Sequence, residues 1–353
     1  MNFSSDNITG ASRPILEAIV AANAGAAKPY GQDEATSEAT RRLCEVFERE
    51  VAVFLVATGT GANALALASL AQPGTAIFCH EEAHVIEDEC GAPEFFAGGA
   101  KLVGVPGAAG KVTLEAFETM LERFPRGVVR QVPPAALSLS QATEAGTLYS
   151  LAEIAALAEA AHASGLGVHM DGARFANALV ALGTSPAAMT WQAGIDVLSL
   201  GATKNGALAC EAVILFDKTR GEEFGVRRKR GGHTLSKGRL LGAQMNGYLA
   251  DGHWLDNARH ANRAARRLAE GLAALPGVRC PWPSEANEVF AILPCRLDES
   301  LRRAGALYYP WVTRSLPAVE TPRPDDILVR LICSFETSDD EVDRLVGIAR
   351  SAL

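Results

Sequence analysis

Residues 51–74, VAVFLVATGTGANALALASLAQPG, admit few folds. The apolar run at the start has no polar alternation, so a strand built from it is covered on both faces. The Thr/Gly cluster that follows makes a tight turn, and the Ala/Leu-rich stretch predicts a buried helix that stops at Pro73-Gly74. The same grammar recurs downstream. Residues 75–79 and 101–105 read as strands, and Ser150-Leu-Ala-Glu153 is a capping box opening the helix LAEIAALAEAAHAS, which Gly165 ends. Strand GLGVHMD, the helix-like SPAAMTWQAG, strand IDVLSLG and strand EAVILF come next. Apolar strands alternating with helices predict an α/β chain with a mainly parallel sheet covered by helices.

The pattern changes near Gly247. Residues 254–275 predict one long Ala/Arg-rich helix, EVFAILP a strand, residues 327–335 another, and Ser338-Asp-Asp-Glu341 a second capping box. Upstream, residues 36–51 place Leu43, Val46 and Phe47 at helical spacing. The expected organisation is an N-terminal arm with a large domain over 1–246 and a smaller α+β domain over 247–353. A length of 353 residues suits two domains at ~150 residues each.

Composition narrows the function classes. A formal net charge of −8 leaves no global positive field for nucleic acid or an anionic membrane. No run approaches the ~18 apolar residues of a membrane span, and the start MNFSSDNITG lacks the basic region of a secretory signal. Seven scattered cysteines with no C-x-x-C argue against a disulfide framework and a zinc ribbon. A cytoplasmic protein acting on a small molecule, without nucleic-acid or membrane partners and without a metal, is the expectation.

Three elements carry chemistry. Asp171 in VHMDGARF ends an apolar strand, the position at which open α/β sheets bind ligands. Lys204 in SLGATKNG lies just beyond the next strand, so both side chains can enter one crevice. Each alone reads as a loop residue; the turn Thr58-Gly-Thr-Gly-Ala-Asn63 changes that. Its glycines permit close approach, and the first N–H groups of the following helix are open to an anion such as a phosphate monoester. A phosphate cradle, a strand-end acid and a strand-end lysine describe a site for pyridoxal phosphate: the lysine forms a Schiff base with the aldehyde, and the aspartate keeps the ring nitrogen protonated.

On the motifs SSDN, YGQDEAT, TGTGAN, EEAHVIEDECGAPE, HMDGAR, the Lys204 segment and VRLICSF, the chain resembles, end to end, the low-specificity L-threonine aldolase family of aspartate-aminotransferase-like, fold type I pyridoxal-phosphate enzymes. The resemblance implies that Lys204 is the Schiff-base lysine and Asp171 the pyridinium partner. It implies phosphate contacts from Gly59 and Thr60, with Gly61 a third candidate, and His84 stacked on the ring. Arg174 would face the cofactor's phenolic oxygen and the substrate carboxylate, which Arg330 and Ser5 would also clamp. By itself, Arg330 within the apolar ILVRLICSF needs a partner, and a carboxylate supplies one.

The basic stretch VRRKRGGHTLSKGR reads as a solvated loop. In the family, basic residues of this region reach a neighbouring subunit's phosphate, which makes Lys229 and Lys237 candidates and implies a homo-oligomer, a dimer of dimers, with shared active sites. The chain departs from the pattern at one place: members carry a histidine in the loop after the central strand, where SQATEAGTLY puts Glu144. A glutamate accepts a β-hydroxyl proton only when ionised, and a nearby substrate carboxylate raises its pKa.

The implied reaction is aldol cleavage of L-threonine, L-allo-threonine or related L-3-hydroxy amino acids such as phenylserine to glycine and an aldehyde. The base is a water positioned by His84 or Glu144. A β-eliminating lyase or dehydratase, an aminotransferase, and a non-enzymatic binder are the alternatives.

Overall fold

The computed structural model describes residues 1–317 and 320–353. Seven strands form the main sheet: β1 (Ala52–Val56), β2 (Ala76–His80), β3 (Lys101–Val105), β4 (Pro134–Ser140), β5 (Gly167–Gly172), β6 (Val197–Gly201) and β7 (Glu211–Leu215). Their order is β1-β7-β6-β5-β4-β2-β3. Strands β2 to β6 pair in parallel, while β7 runs antiparallel to both β6 and β1. β2, β6 and β7 are buried along their whole length, as expected of strands with helices on both faces. The helix Gly59–Leu70 is likewise buried on nearly all sides, which explains its Ala/Leu composition.

A second, antiparallel sheet follows, with β8 (Glu288–Pro294), β9 (Tyr309–Pro310) and β10 (Asp326–Ile332) in the order β8-β10-β9. The helix His253–Ala273 straddles the two hydrophobic cores: Trp254 and Ala258 belong to the first, Ala264 to Leu272 to the second. Phe3 also packs in the second core, tied by backbone bonds to Leu307 and Ile332, so the start of the N-terminal arm belongs with the smaller unit. Both capping boxes, at Ser150 and Ser338, form.

Three details differ from the sequence expectation. The basic stretch is no continuous loop: its first five residues end the helix Gly221–Arg230 and its last, Arg239, opens the helix Arg239–Leu249, so that only 231–238 connect them. The division expected after residue 246 falls inside the second of these. Gly247 there is a packing glycine: an added Cβ would lie 3.0 Å from the Ile15 backbone on the helix Arg13–Ala22. The chain leaves this helix at Asp251 and Gly252, both with positive φ. Residues 134–140 carry no strand expectation, yet they form β4, the centre of the parallel set. Among the described residues no helix is long and apolar enough to cross a membrane.

Candidate active site

The carboxyl ends of three adjacent parallel strands set the site. Register places Ser140 beside Asp171 and Asp171 beside Ser199, and all three face a cleft of about 600 Å³. The cleft lies between the sheet edge and the second unit, which contributes Glu288, Trp311, Arg330 and Ile332.

Asp171 is buried. Its Oδ2 accepts from Asn63 Nδ2 (2.8 Å) and its Oδ1 from the Ala173 N–H (3.0 Å). Asn63 sits one turn into the helix Gly59–Leu70, and its amide also donates to Glu89 Oε1 (2.8 Å). Glu89 in turn accepts from His84 Nδ1 (2.9 Å). That bond raises the His84 pKa against an opposing effect of burial, and burial raises that of Glu89. His84 therefore presents a ring whose Nδ1 is occupied and whose Nε2 is the nitrogen left for a ligand. Lys204 stands on the short turn Thr203–Asn205 directly after β6 and lines the same cleft.

At the other end, Thr58 caps the helix Gly59–Leu70, its Oγ1 accepting the Gly61 N–H at 3.0 Å. The Gly61 N–H, a third expected phosphate donor, is taken up by this cap. The side-chain space of Gly61 is taken by the His233 ring, 2.3 Å from where a Cβ would lie. The N–H groups of Gly59 and Thr60, which line the cleft, are the open donors of this terminus.

The arginines are not equivalent. Arg174 Nε and Nη2 donate to the two oxygens of buried Asp6 (2.8 and 3.2 Å), and Nη1 faces Glu288 at 3.3 Å. Burial alone would raise the Asp6 pKa, but Arg174 and Lys204 hold it below the usual carboxylate range. The Arg174 fork, expected to face the ligand, is thus spent largely within the protein. Arg330 stacks 4.1 Å over Trp311, approaches Glu288 only to 4.0 Å, and keeps its buried Nε without a partner. Its open donors point to an anionic ligand. Ser5 lines the cleft as well, its Oγ accepting the Asn7 N–H.

Glu144 Oε1 accepts from the His84 N–H and from Ser140 Oγ, each at 2.8 Å, while Oε2 is buried and unpartnered. Burial pushes its carboxyl up to about 7. Lys229 and Lys237 are exposed and lie outside this chain's cleft; Lys229 sits over the Tyr30 ring instead.

Sequence reasoning missed Asn63, Glu89, Asp6, Glu288 and Glu211. Asn63, Glu211 and Glu288 line the cleft directly. Two open N–H donors at a helix start, a strand-end carboxylate and a lysine one strand over match the phosphate, ring nitrogen and aldehyde of pyridoxal phosphate, so the residues present fit that group.

The chain matches the family model described as beta-eliminating lyase over residues 2–295. It is 40% identical over 348 residues to the low specificity L-threonine aldolase of Pseudomonas aeruginosa, covering 99% of this chain and 96% of that protein. Identity to the protein of that name from Pseudomonas sp. is 38%, covering 99% and 97%. Among solved structures, Leishmania major threonine aldolase matches with a TM-score of 0.91 at 28% identity, covering 100% of this chain and 99% of that one. Serine palmitoyltransferase of Sphingomonas wittichii, at 16% identity and a TM-score of 0.69 with 100% and 86% covered, shares the fold.

Proposed function

The chain belongs to the beta-eliminating lyase family, and from that premise we propose that it is a carbon–carbon lyase of the low-specificity L-threonine aldolase type. It cleaves L-threonine, L-allo-threonine and related L-3-hydroxy amino acids to glycine and an aldehyde. The observation that carries the reading is the convergence of Asp171, Lys204 and the Gly59–Thr60 turn on one cleft beside Arg330.

In this reading the residues divide the labour. The Gly59 and Thr60 N–H groups hold the phosphate of pyridoxal phosphate, and Lys204 supplies the amine that anchors its aldehyde. Asp171, steadied by Asn63, keeps the ring nitrogen protonated. Pyridoxal phosphate, when bound, supplies the electron sink for the breaking Cα–Cβ bond. Arg330 and Ser5 orient the amino acid through its carboxylate, while Arg174 braces Asp6 and Glu288 around that pocket. His84 covers the ring and offers Nε2. Glu144, or a water beside it, takes the β-hydroxyl proton.

The protein works in the cytoplasm as a homo-oligomer, a dimer of dimers. Exposed Lys229 and Lys237, outside their own cleft, and exposed apolar Leu16, Val20 and Val226 support a shared site in which a neighbouring copy's lysines approach the phosphate.

Absorbance before and after borohydride, with peptide mapping of the reduced adduct to Lys204, tests the cofactor role. Glycine and acetaldehyde from L-threonine test the reaction. Ammonia in place of glycine would identify a β-eliminating lyase, and a requirement for a keto acid an aminotransferase; either result overturns the aldolase assignment.

A further inference from the structure

One buried carboxylate in the cleft has no role in the scheme above. Glu211 opens β7, and the antiparallel register sets it opposite Gly201, the last residue of β6, at the base of the turn that carries Lys204. It is 7% exposed and lines the cleft. Its Oε2 accepts the Ala202 N–H at 2.9 Å, two residues before the lysine.

The other carboxylates around the cleft have partners of their own away from the turn of Lys204, although the lysine's charge also acts on Asp6. Asp171 holds Asn63 and the Ala173 N–H; Asp6 holds Arg174 and Asn287. Glu288 lies between the two arginines, Glu89 holds His84, and Glu144 holds the His84 backbone and Ser140. Asp88 is exposed at the mouth. Glu211 is left with hydrogen bonds to the lysine's own turn and an uncompensated charge. Lys204 is the cation whose charge acts on it.

We propose that Glu211 is the positioning residue of Lys204. Through the Ala202 N–H it fixes the turn that aims the amine into the cleft, and its carboxylate receives the ammonium hydrogen bond whenever that amine carries no covalent linkage. The inference rests on the reading of Lys204 as the cofactor-anchoring lysine. The titratable groups facing Glu211 are Lys204 on the turn after β6, Asp171 at the end of β5, the Cys210 thiol beside it and the Tyr248 phenol from the helix Arg239–Leu249. Burial, with Asp171 adding to it, pushes the Glu211 carboxyl up to about 7, so its full charge is present above neutrality.

The test uses cofactor-free protein mixed with pyridoxal phosphate, and follows the rate of formation of the borohydride-reducible adduct against pH. Glu211→Gln keeps an acceptor for the Ala202 N–H and removes the charge. Loss of a neighbouring carboxylate favours the free amine, so the variant's profile moves about one pH unit lower and capture on the acidic limb becomes about tenfold faster. A purely structural Glu211 leaves the profile in place; coincident curves overturn the proposal. Should Glu211→Gln fail to fold, the reciprocal measurement decides, because coupling between two sites is mutual. In cofactor-free Lys204→Met protein labelled with ¹³C at glutamate carboxyls, the Glu211 resonance titrates at higher pH than in the wild type, and an unmoved titration overturns the inference. Absence of any reducible adduct in the wild type would remove the functional reading and this inference with it, whereas a wild-type adduct with coincident profiles removes this inference alone.

Discussion

Glu144 accepts the backbone N–H of His84 at 2.8 Å, so the residue that departs from the family pattern also holds the residue proposed to cover the ring. Its remaining oxygen is buried and free, and burial pushes the group up to about 7. Cleavage of L-threonine should rise with pH as Glu144 ionises near 7. Glu144→Gln keeps an acceptor for His84 and should lose that acidic limb, with cleavage down by ~10²-fold or more if the carboxylate is a general base. Cα-proton exchange of glycine, measured in parallel, should survive. Equal losses in both reactions would show that Glu144 serves only as the His84 brace.

Glu89 sets the state of the His84 ring. Its bond to Nδ1 is the main cause of the raised His84 pKa, ahead of the charge of Asp171, with burial acting against both. Glu89→Gln should lower the titration midpoint of His84, followed by NMR of the ring Cε1–H. An unmoved midpoint would mean that Asp171 alone sustains the imidazolium.

What could be read in the sequence was local. Asp171 and Lys204 each terminate an apolar run, and Thr58 opens a helix, so strand and helix grammar placed them at one sheet edge. The partners that tune them come from far along the chain: Asn63 reaches Asp171 across 108 positions, and Asp6 reaches Arg174 across 168. No periodicity records such meetings. Arg330 shows the limit well. Its need for an anion was visible within ILVRLICSF, but Glu288, two residues along β8 from its cross-strand neighbour Phe290, depends on a register that only the folded sheet defines. Lys229 was legible as basic but not as helical, because four successive cations mask the apolar face through which Phe224 anchors that helix.

The two arginines should fail differently. Arg330 has open donors and few internal partners, so Arg330→Ala should raise KM for L-threonine strongly with little change in cofactor content or Tm. Arg174→Ala takes from buried Asp6 and Glu288 the guanidinium that pairs with both, and breaking a buried pair in this way costs about 3–5 kcal/mol. Thermal denaturation of the two variants beside the KM values separates these roles. A strong destabilisation by Arg330→Ala would make it structural as well.

His169 should govern the acid stability of the sheet. It lies two residues before Asp171 and is fully buried, with Nδ1 against Ser138 Oγ and Nε2 against Ser199 Oγ, both at 2.9 Å. Burial pushes its titration down to about 4, against an ordinary value of 6.5. Between those limits the unfolded chain binds more protons than the folded one. The contribution is therefore complete above about pH 6.5 and is lost as pH falls towards 4, amounting to about 3 kcal/mol by linkage. Glu144 and Glu211 act in the opposite sense. Their raised folded values favour the fold at low pH, and that contribution fades as pH rises from about 4.5 through 7. The wild-type curve is the sum, so the informative quantity is the difference between wild type and His169→Gln, read as the urea midpoint from pH 4 to 7. That difference should grow by about 3 kcal/mol across the window as the wild type gains its His169 contribution, and parallel curves would show that His169 is not held neutral in the folded protein.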